Sequence, residues 1–344
     1  MDRPVEPGDD VLKDLPAVTD APAMPVNPSI KQLGVPVIKG GVPDRGRREL
    51  LELYPNARFN DLPRGLTEDE MIAFLADCDA AIIGLDLLSE RVIDALPNLR
   101  IVGKFGAGYD TVHLQTLKRR AIMFGYTFGV NALAVAELTV AFAIMGLRHV
   151  PALNLAMREG KRPRWIMGQH LSGRTVGIHG CGHIGKQLVR LLQPFGCEIL
   201  ACDIRDYSDF YRQYGVTAVD MDELLGRSEI LTLHLAKSQL TTGMYDRKTQ
   251  EKIREGAVFI NTCRGGIVDE DALLERLEGG HLTAACFDVF AIEPAQNDAL
   301  LRHPNMLATP HMGAAIEEVR VNMFRSAIRG LVENGPVQLE AYDF

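Results

Sequence analysis

The sequence predicts an α/β protein of two units, in which a doubly wound parallel sheet is inserted into the chain of a second parallel-sheet unit. Three observations lead to this prediction. The chain has 344 residues, about twice the length of a common single domain. Short apolar runs alternate with helical patterns from Val35 to Tyr126, and the alternation restarts at Thr175 after a long helical segment. The last helical pattern, Glu317 to Glu333, has no strand of its own to cover, so we expect it to pack on the first unit.

The first unit is predicted from short apolar runs that are separated by helical segments. These runs are residues 35–39, 57–59, 80–84, 100–104 and 123–126. Before them, residues 1–29 are rich in proline and acidic residues and show little periodicity, which predicts a disordered tail. We therefore assign the outer unit to residues 30–131 and 315–344.

The inserted unit, residues 132–314, begins with a long helix over residues 132–149. The strands that follow are predicted at residues 175–179, 198–202, 230–235, 257–260, 284–287 and 306–308. The apolar stretch 132–147 contains Glu137 and is shorter than the roughly 20 residues that a bilayer span requires. We interpret it as a core helix and not as a membrane anchor.

Composition and charge exclude several classes of function. The formal net charge is −8, which offers no basic surface to nucleic acid. The six cysteines form no CxxC pair and no metal-ligand spacing, so we expect free thiols in a reducing compartment and no metal site. The N-terminal residues lack the basic and apolar regions of a signal peptide, which favours a cytoplasmic protein that acts on a small molecule.

A glycine-rich loop follows the first strand of the inserted unit. Gly180, Gly182 and Gly185 form a GxGxxG pattern between a predicted strand and a predicted helix, and Asp203 ends the next strand. Such a loop lets the backbone approach a pyrophosphate at the helix N-terminus, and the acidic residue binds the ribose hydroxyls. The unit is therefore predicted to be of the Rossmann type and to bind NAD, although the nearby Arg205 weakens the preference over NADP.

Arg264, Glu293 and His311 each follow a predicted strand of the inserted unit. Ligands collect at the carboxyl ends of strands in open α/β sheets. Arginine binds a carboxylate with two parallel hydrogen bonds, and a histidine that is paired with a glutamate can exchange a proton with an alcohol. Each residue alone is weak support, since isolated charged residues are usually solvated. Together with the glycine loop, they predict the oxidation of an alcohol beside a carboxylate.

Four motifs carry a resemblance to a known family. They are residues 173–180, 261–269, 288–294 and 309–313, in the family's order. On these motifs the chain resembles the D-isomer-specific 2-hydroxyacid dehydrogenases, which include D-3-phosphoglycerate dehydrogenases, over nearly everything from residue 35 onward. The resemblance implies a Rossmann-type sheet inserted into a flavodoxin-like substrate domain.

The resemblance also implies a role for each site residue. Arg264 would bind the substrate carboxylate and keto oxygen, His311 would act as general acid and base, and Glu293 would support His311. Asp288 would hold the carboxamide of the nicotinamide. The family's cofactor contacts fall on Thr127, Gly180, Gly182, His183, Ile184, Gly185, Asp203, His234, Leu235, Cys263, Arg264, Asp288, His311 and Gly313. Its substrate contacts fall on Lys104, Gly106, Ala107 and Gly108, together with Arg264 and His311.

The substrate itself stays open at this point. Lys104 stands where phosphoglycerate dehydrogenases commonly have a cation, which suggests a phosphorylated or other dianionic acid, and a glyoxylate/hydroxypyruvate reductase is the alternative. Phosphite dehydrogenases have a lysine at the position of Ala107, and formate dehydrogenases have a glutamine at that of Glu293, so both are disfavoured.

Regulation and assembly give a second set of expectations. Few residues follow His311, too few for the regulatory domains of some long phosphoglycerate dehydrogenases.

An alternative of another class is an NAD-sensing interaction protein like the C-terminal-binding co-repressors, which have the same fold. Because the family packs the helix over residues 132–147 and the arm after it across a two-fold axis, we expect a homodimer.

Overall fold

The structure, a computed structural model, describes residues 24–106, 108–164 and 166–339. Its strands are β1 (Leu33–Val35), β2 (Arg58–Phe59), β3 (Ala80–Ile83), β4 (Ile101–Lys104), β5 (Met123–Gly125), β6 (Thr175–His179), β7 (Glu198–Cys202), β8 (Val216–Ala218), β9 (Ile230–Leu233), β10 (Ala257–Asn261), β11 (Leu282–Phe287), β12 (Met306–Ala308) and β13 (Gly335–Pro336).

The helices are α1 (Asp44–Leu53), α2 (Glu68–Leu75), α3 (Glu90–Asp94), α4 (Leu114–Arg119), α5 (Ala132–Leu147), α6 (Val150–Arg158), α7 (His183–Leu192), α8 (Ser208–Tyr214), α9 (Met221–Arg227), α10 (Arg247–Glu251), α11 (Glu270–Glu278), α12 (Asp298–Arg302) and α13 (Glu317–Gly330). Side-chain caps fix where several of them begin. Thr67 forms a capping box with Glu70 at α2, and aspartate side chains cap α9, α10 and α11.

The strands form two sheets whose orders identify the fold class. The first sheet has the order β13-β5-β4-β3-β1-β2, in which every pair is parallel except β13 with β5. The second has the order β12-β11-β10-β9-β6-β7-β8 and is parallel throughout. These are the flavodoxin-like and the Rossmann-type orders. The predicted fold class is therefore confirmed, whereas the domain limits at 131/132 and 314/315 stay a prediction.

Alternating side chains of each sheet pack into two apolar layers. In the first sheet, Ile83 and Val102 face α2, α3 and α4, whereas Val35 and Ile82 face α1 and α13. Helix α13 contacts β4, β5 and α1, as expected from its lack of a strand of its own. In the second sheet, α5 and α7 pack on one face, and α9, α11 and α12 pack on the other.

Three sequence-based assignments need correction. The first strand ends at Val35 and does not extend over residues 35–39, because Pro36 has no N–H to donate to a neighbouring strand. Strand β8 was not predicted, since it lies at the sheet edge and two of its three residues are exposed. Strand β13, a Gly-Pro pair, was also missed, because a two-residue strand has no recognisable apolar pattern.

The predicted tail extends too far toward the fold. Residues 24–29 contact the first unit, where the Asn27 N–H donates to the Tyr54 hydroxyl at 2.9 Å. Its side-chain amide donates to the carbonyl of Leu331, also at 2.9 Å. Composition could not reveal these long-range hydrogen bonds. Residues 1–23 lie outside the described residues.

No single helix within the described ranges is long and apolar enough to cross a bilayer. Helices α5 and α6 reach that length and composition only as a pair, and they are bent by 68° to one another.

Candidate active site

The glycine loop joins β6 to α7 at the edge where β6 and β9 lie side by side. Gly180 has φ +92°, and a Cβ added there would lie 2.5 Å from the carbonyl oxygen of His234, so only glycine fits. An added Cβ on Gly185 would lie 2.6 Å from the Gly180 oxygen, which shows how closely α7 approaches the loop. Gly182 is the N-cap of α7, has no side-chain cap, and has open space on its Cβ side. These features fit a bound pyrophosphate.

Asp203 lies directly after β7 and is anchored to this loop. Its Oδ2 accepts from the Cys181 N–H at 2.6 Å, and its Oδ1 accepts from the Arg205 N–H at 2.8 Å. Two backbone donors therefore orient the carboxylate beside the glycine loop. A carboxylate in this place can accept hydrogen bonds from ribose hydroxyls and repels a 2′-phosphate.

Asp203→Ala is expected to reduce the preference for NADH over NADPH by about 10-fold or more, since it removes both the ribose acceptor and the repulsive charge. The measurement is the ratio of the two dissociation constants, obtained by cofactor fluorescence. Asp209→Ala, at an exposed aspartate on α8, is the matched control. An unchanged ratio in the Asp203 variant would refute the role.

His234 carries an unpaired polar atom beside the loop. Its Nε2 lies 3.1 Å from the Thr232 hydroxyl, while its buried Nδ1 has no partner within the part of the chain that the structure describes. Burial lowers the pKa of this imidazole to about 3, so the ring is neutral. An unpaired buried nitrogen next to a phosphate-binding loop fits a cofactor contact. Leu235 follows, and its side chain lies close to Gly180.

The segment after β5 reaches the start of α7. The ring of Phe128 lies parallel to that of His183, with 6.1 Å between centroids. The exposed Thr127 therefore stands near the first turn of α7, which also holds Ile184. Three of the predicted cofactor residues, Thr127, His183 and Ile184, therefore lie around the N-terminus of α7.

His311 and Glu293 form a hydrogen-bonded pair. His311 Nδ1 lies 2.8 Å from Glu293 Oε2, and the other carboxylate oxygen accepts from the Phe290 N–H at 3.1 Å. Both side chains remain partly exposed, so the ring can meet a ligand. His311 has φ +52°, in the left-handed region that a non-glycine residue rarely adopts.

Asp288 holds the turn that contains His311. Its carboxylate accepts from the N–H groups of Met312 and Gly313, each at 2.8 Å, and from the Thr309 hydroxyl. Its own carbonyl accepts from the His311 N–H at 2.8 Å. The buried Asp288 thus fixes the strained backbone of His311, a function that the sequence motifs did not indicate.

Arg264 spans the space between the two sheets. Its Nη1 donates to the carbonyl of Cys263 at 2.8 Å, and its Nη2 lies 3.5 Å from Asp110 Oδ1. An added Cβ on Gly108 would overlap Nη2, so glycine makes room for the guanidinium. The structure therefore brings Arg264 to the predicted substrate loop and adds Asp110, to which the sequence analysis gave no role.

Cys263 is held beside Arg264 by Asn261. The Asn261 Oδ1 accepts from the Cys263 N–H at 3.1 Å, and the Asn261 amide donates to the Arg264 carbonyl at 3.2 Å. Burial raises the pKa of the Cys263 thiol, so the thiolate is disfavoured. Cys263 therefore offers backbone and packing rather than thiol chemistry.

Lys104 ends β4 and is buried, with 2% of its surface exposed. Its ammonium donates to the carbonyls of Gly84 and Phe105. Burial lowers the pKa of Lys104 to about 8, although the charges of Asp110 and Asp86 oppose this shift. Two of its three hydrogens are thus bound by the protein. Gly106 lies next to Nζ, with φ +128°, whereas Ala107 lies outside the described residues.

Arg264, Glu293 and His311 follow three neighbouring strands, β10, β11 and β12. They therefore share one edge of the second sheet with the glycine loop after β6. The site can bind a dinucleotide along this edge, hold a carboxylate at Arg264 and exchange a proton at His311.

Comparisons with known proteins agree with this geometry. Residues 140–313, just over half of the chain, match the family profile described as D-isomer specific 2-hydroxyacid dehydrogenase, NAD binding domain. The chain is 34% identical to the human D-3-phosphoglycerate dehydrogenase over 259 residues, which is 75% of this chain and 49% of the relative. The Archaeoglobus fulgidus enzyme of that name is 31% identical over 266 residues, or 76% of this chain and 50% of the relative. The chain thus spans about half the length of the curated relatives it matches.

Solved structures match over nearly the whole chain. A putative D-isomer specific 2-hydroxyacid dehydrogenase from Polaromonas aligns with a TM-score of 0.79 and 27% identity, covering 93% of this chain and 98% of that one. A glyoxylate reductase from Paecilomyes thermophila aligns with a TM-score of 0.76 and 26% identity, covering 87% and 92%. The chain belongs to the D-isomer specific 2-hydroxyacid dehydrogenase family.

Proposed function

We propose that this protein is an NAD-dependent oxidoreductase that interconverts a D-2-hydroxy acid and its 2-keto acid by hydride transfer. The His311–Glu293 pair, 2.8 Å apart on the strand edge that carries the glycine loop, is the observation that carries the proposal. Arg264 supplies the carboxylate-binding cation at the same edge.

Each residue of the site has its own role in the proposed reaction. NAD, when bound, supplies the hydride acceptor. Glu293 is hydrogen-bonded to Nδ1 of His311, so Nε2 of His311 is the atom left for the substrate. This nitrogen takes the hydroxyl proton during oxidation and returns it during reduction. The carboxylate of Glu293 stabilises the positive charge that the ring then carries. Arg264 orients the substrate through a bidentate contact with its carboxylate.

The surroundings of Lys104 favour a small acid without a phosphate. Two of its hydrogens are bound by backbone carbonyls, and Asp86 and Asp110 lie close enough to influence its charge. A phosphorylated or other dianionic acid would require a free cation here. Although curated relatives are named D-3-phosphoglycerate dehydrogenases, we therefore infer that a substrate of the glyoxylate or hydroxypyruvate type fits better.

A panel of keto acids tests the activity. NADH absorbance is followed with glyoxylate, hydroxypyruvate, pyruvate, 2-oxoglutarate and 3-phosphohydroxypyruvate. We expect turnover with at least one of them and a higher kcat/KM for hydroxypyruvate than for its phosphate ester. Turnover only with the phosphate ester would overturn the assignment of the substrate. NADH binding without turnover of any acid would favour the co-repressor-like alternative.

We also propose that the protein is a cytoplasmic homodimer. Helix α6 has no buried residue, and Val150, Leu155 and Met157 on it are exposed, as are Ile166 and Met167 just after it. An apolar surface of this kind is typical of an interface. All six cysteines are unpaired, which supports a reducing compartment.

Leu155→Asp is expected to shift the protein from dimer toward monomer, since a charge would be buried at the centre of the apolar surface. Sedimentation velocity at micromolar concentration measures the change. Leu240→Asp, at another exposed leucine, should leave the sedimentation coefficient unchanged. A wild-type protein that sediments as a monomer would contradict the dimer.

A further inference from the structure

A pocket lies on the face of the second sheet that α9 and α10 cover. It is an open pocket of about 250 Å³, and Met221, Leu225 and Met244 form its apolar walls. Asp222 and Lys252, an ion pair at 2.7 Å, stand at its rim. The mechanism proposed above uses none of these residues.

His179 is the polar side chain of this pocket that belongs to the sheet. It is the last residue of β6, is 8% exposed, and its Nδ1 lies 2.8 Å from the Tyr245 hydroxyl. Tyr245 is fully buried, and its hydroxyl has no other partner within residues 24–106, 108–164 and 166–339. A buried hydroxyl donates its hydrogen where it can, so Tyr245 donates to Nδ1. The ring proton of His179 therefore resides on Nε2.

Nε2 of His179 is available to a ligand. It has no hydrogen-bond partner within the described part of the chain, and it is not among the buried polar atoms that lack one. Burial lowers the pKa of His179 to about 4, so the ring stays neutral at physiological pH. The pocket thus presents an uncharged ring N–H beside an apolar and thioether wall, and Thr249, Asp222 and Lys252 complete its lining. An in-plane donor next to such a wall suits a flat heterocycle with an acceptor nitrogen in its plane.

The position of His179 identifies which part of a ligand reaches it. His179 directly precedes Gly180, and the charge of Asp203 acts on its ring. A dinucleotide with its pyrophosphate at the glycine loop and its adenosine ribose at Asp203 carries its base next to both. We propose that His179 determines base specificity by donating its Nε2–H to a ring nitrogen of the adenine. This inference rests on the proposed NAD binding, and it adds a hydrogen bond that the base can accept only with an unprotonated nitrogen at that ring position.

The test combines analogues of the ligand with variants of His179. Calorimetry would measure dissociation constants of AMP and its 1-deaza, 3-deaza and 7-deaza analogues, each of which replaces one ring nitrogen by C–H. The proteins are the wild type, His179→Leu and His179→Gln. Glutamine keeps an N–H donor at a similar distance from the backbone, so it controls for folding and shape.

We expect one deaza analogue to bind the wild type about 3- to 10-fold more weakly than AMP, the usual effect of one neutral hydrogen bond. His179→Leu should bind AMP and that analogue equally, and His179→Gln should keep the difference. The proposal is overturned if the wild type binds all four ligands within twofold, if it binds none of them, or if the difference persists in His179→Leu. AMP binding requires no keto acid, so this result is independent of the turnover panel.

Discussion

His311→Gln is expected to lower kcat for keto acid reduction by about 10²–10⁴, the usual contribution of a general acid-base group. Glutamine cannot exchange a proton near neutral pH, although it can still accept or donate hydrogen bonds. Because His311 lies on a turn held by Asp288, and not in the glycine loop, the dissociation constant of NADH should change by less than about threefold. Stopped-flow kinetics and fluorescence titration measure the two quantities.

The control for this variant is His170→Gln, at an exposed histidine that precedes β6 and therefore lies toward the amino end of the strand whose carboxyl end carries the glycine loop. It should leave both quantities unchanged. If His311→Gln weakens NADH binding as strongly as it lowers kcat, the residue supports the cofactor site and is not the acid-base group. A kcat within threefold of the wild type would exclude the role altogether.

Arg264→Lys is expected to raise KM for the keto acid by about 10- to 100-fold, with a smaller effect on kcat. Lysine keeps the charge but cannot make two parallel hydrogen bonds to a carboxylate. Hydrogen bonds to charged groups contribute about 1.5–3 kcal/mol each, which corresponds to this range. Steady-state kinetics with the best substrate of the panel measures the change.

Two further variants make this result specific. Arg302→Lys changes an exposed arginine on α12 and should leave KM unaltered. Asp110→Asn removes the carboxylate that lies 3.5 Å from Arg264, and it should lower KM if Asp110 competes with the substrate for the guanidinium. A KM for Arg264→Lys within twofold of the wild type would show that Arg264 does not bind the carboxylate.

The parts of the site that the sequence predicts depend on local chain geometry. Gly180, Asp203 and His311 each follow the carboxyl end of a strand. Parallel strands bring their carboxyl ends to one edge of the sheet, so positions along the chain were enough to predict that these residues lie at the same edge. The α/β class followed from the alternation of apolar runs and helices, and the Rossmann-type and flavodoxin-like folds followed from the family resemblance. The first strand was misplaced because an apolar run continues past Pro36, whereas the pairing of β1 with β2 and β3 ends at Val35.

The remaining features depend on contacts between distant residues. His179 and Tyr245 are 66 positions apart, and Arg264 and Asp110 come from different sheets. The burial of Lys104 could not be predicted from its residue type. A lysine at a strand end is normally solvated and free to bind a phosphate. Asp288 holds the turn of His311 by accepting hydrogen bonds from backbone N–H groups. Every non-proline residue has such a group, so these bonds cannot be predicted from the residue types of the turn.

Transfer of an isotope from NADH to C2 of a keto acid is the sharpest test of the proposed hydride transfer. The protein would be incubated with each keto acid of the panel and NADH that carries deuterium in both positions at C4, and the product analysed by chiral chromatography and mass spectrometry. We predict one deuterium at C2 of the hydroxy acid with at least one substrate, in the D-isomer where the product is chiral, and at least about 100-fold less of it with His311→Gln over the same time. The absence of deuterium at C2 with every keto acid, or its appearance only in an L-isomer, would exclude the proposed activity.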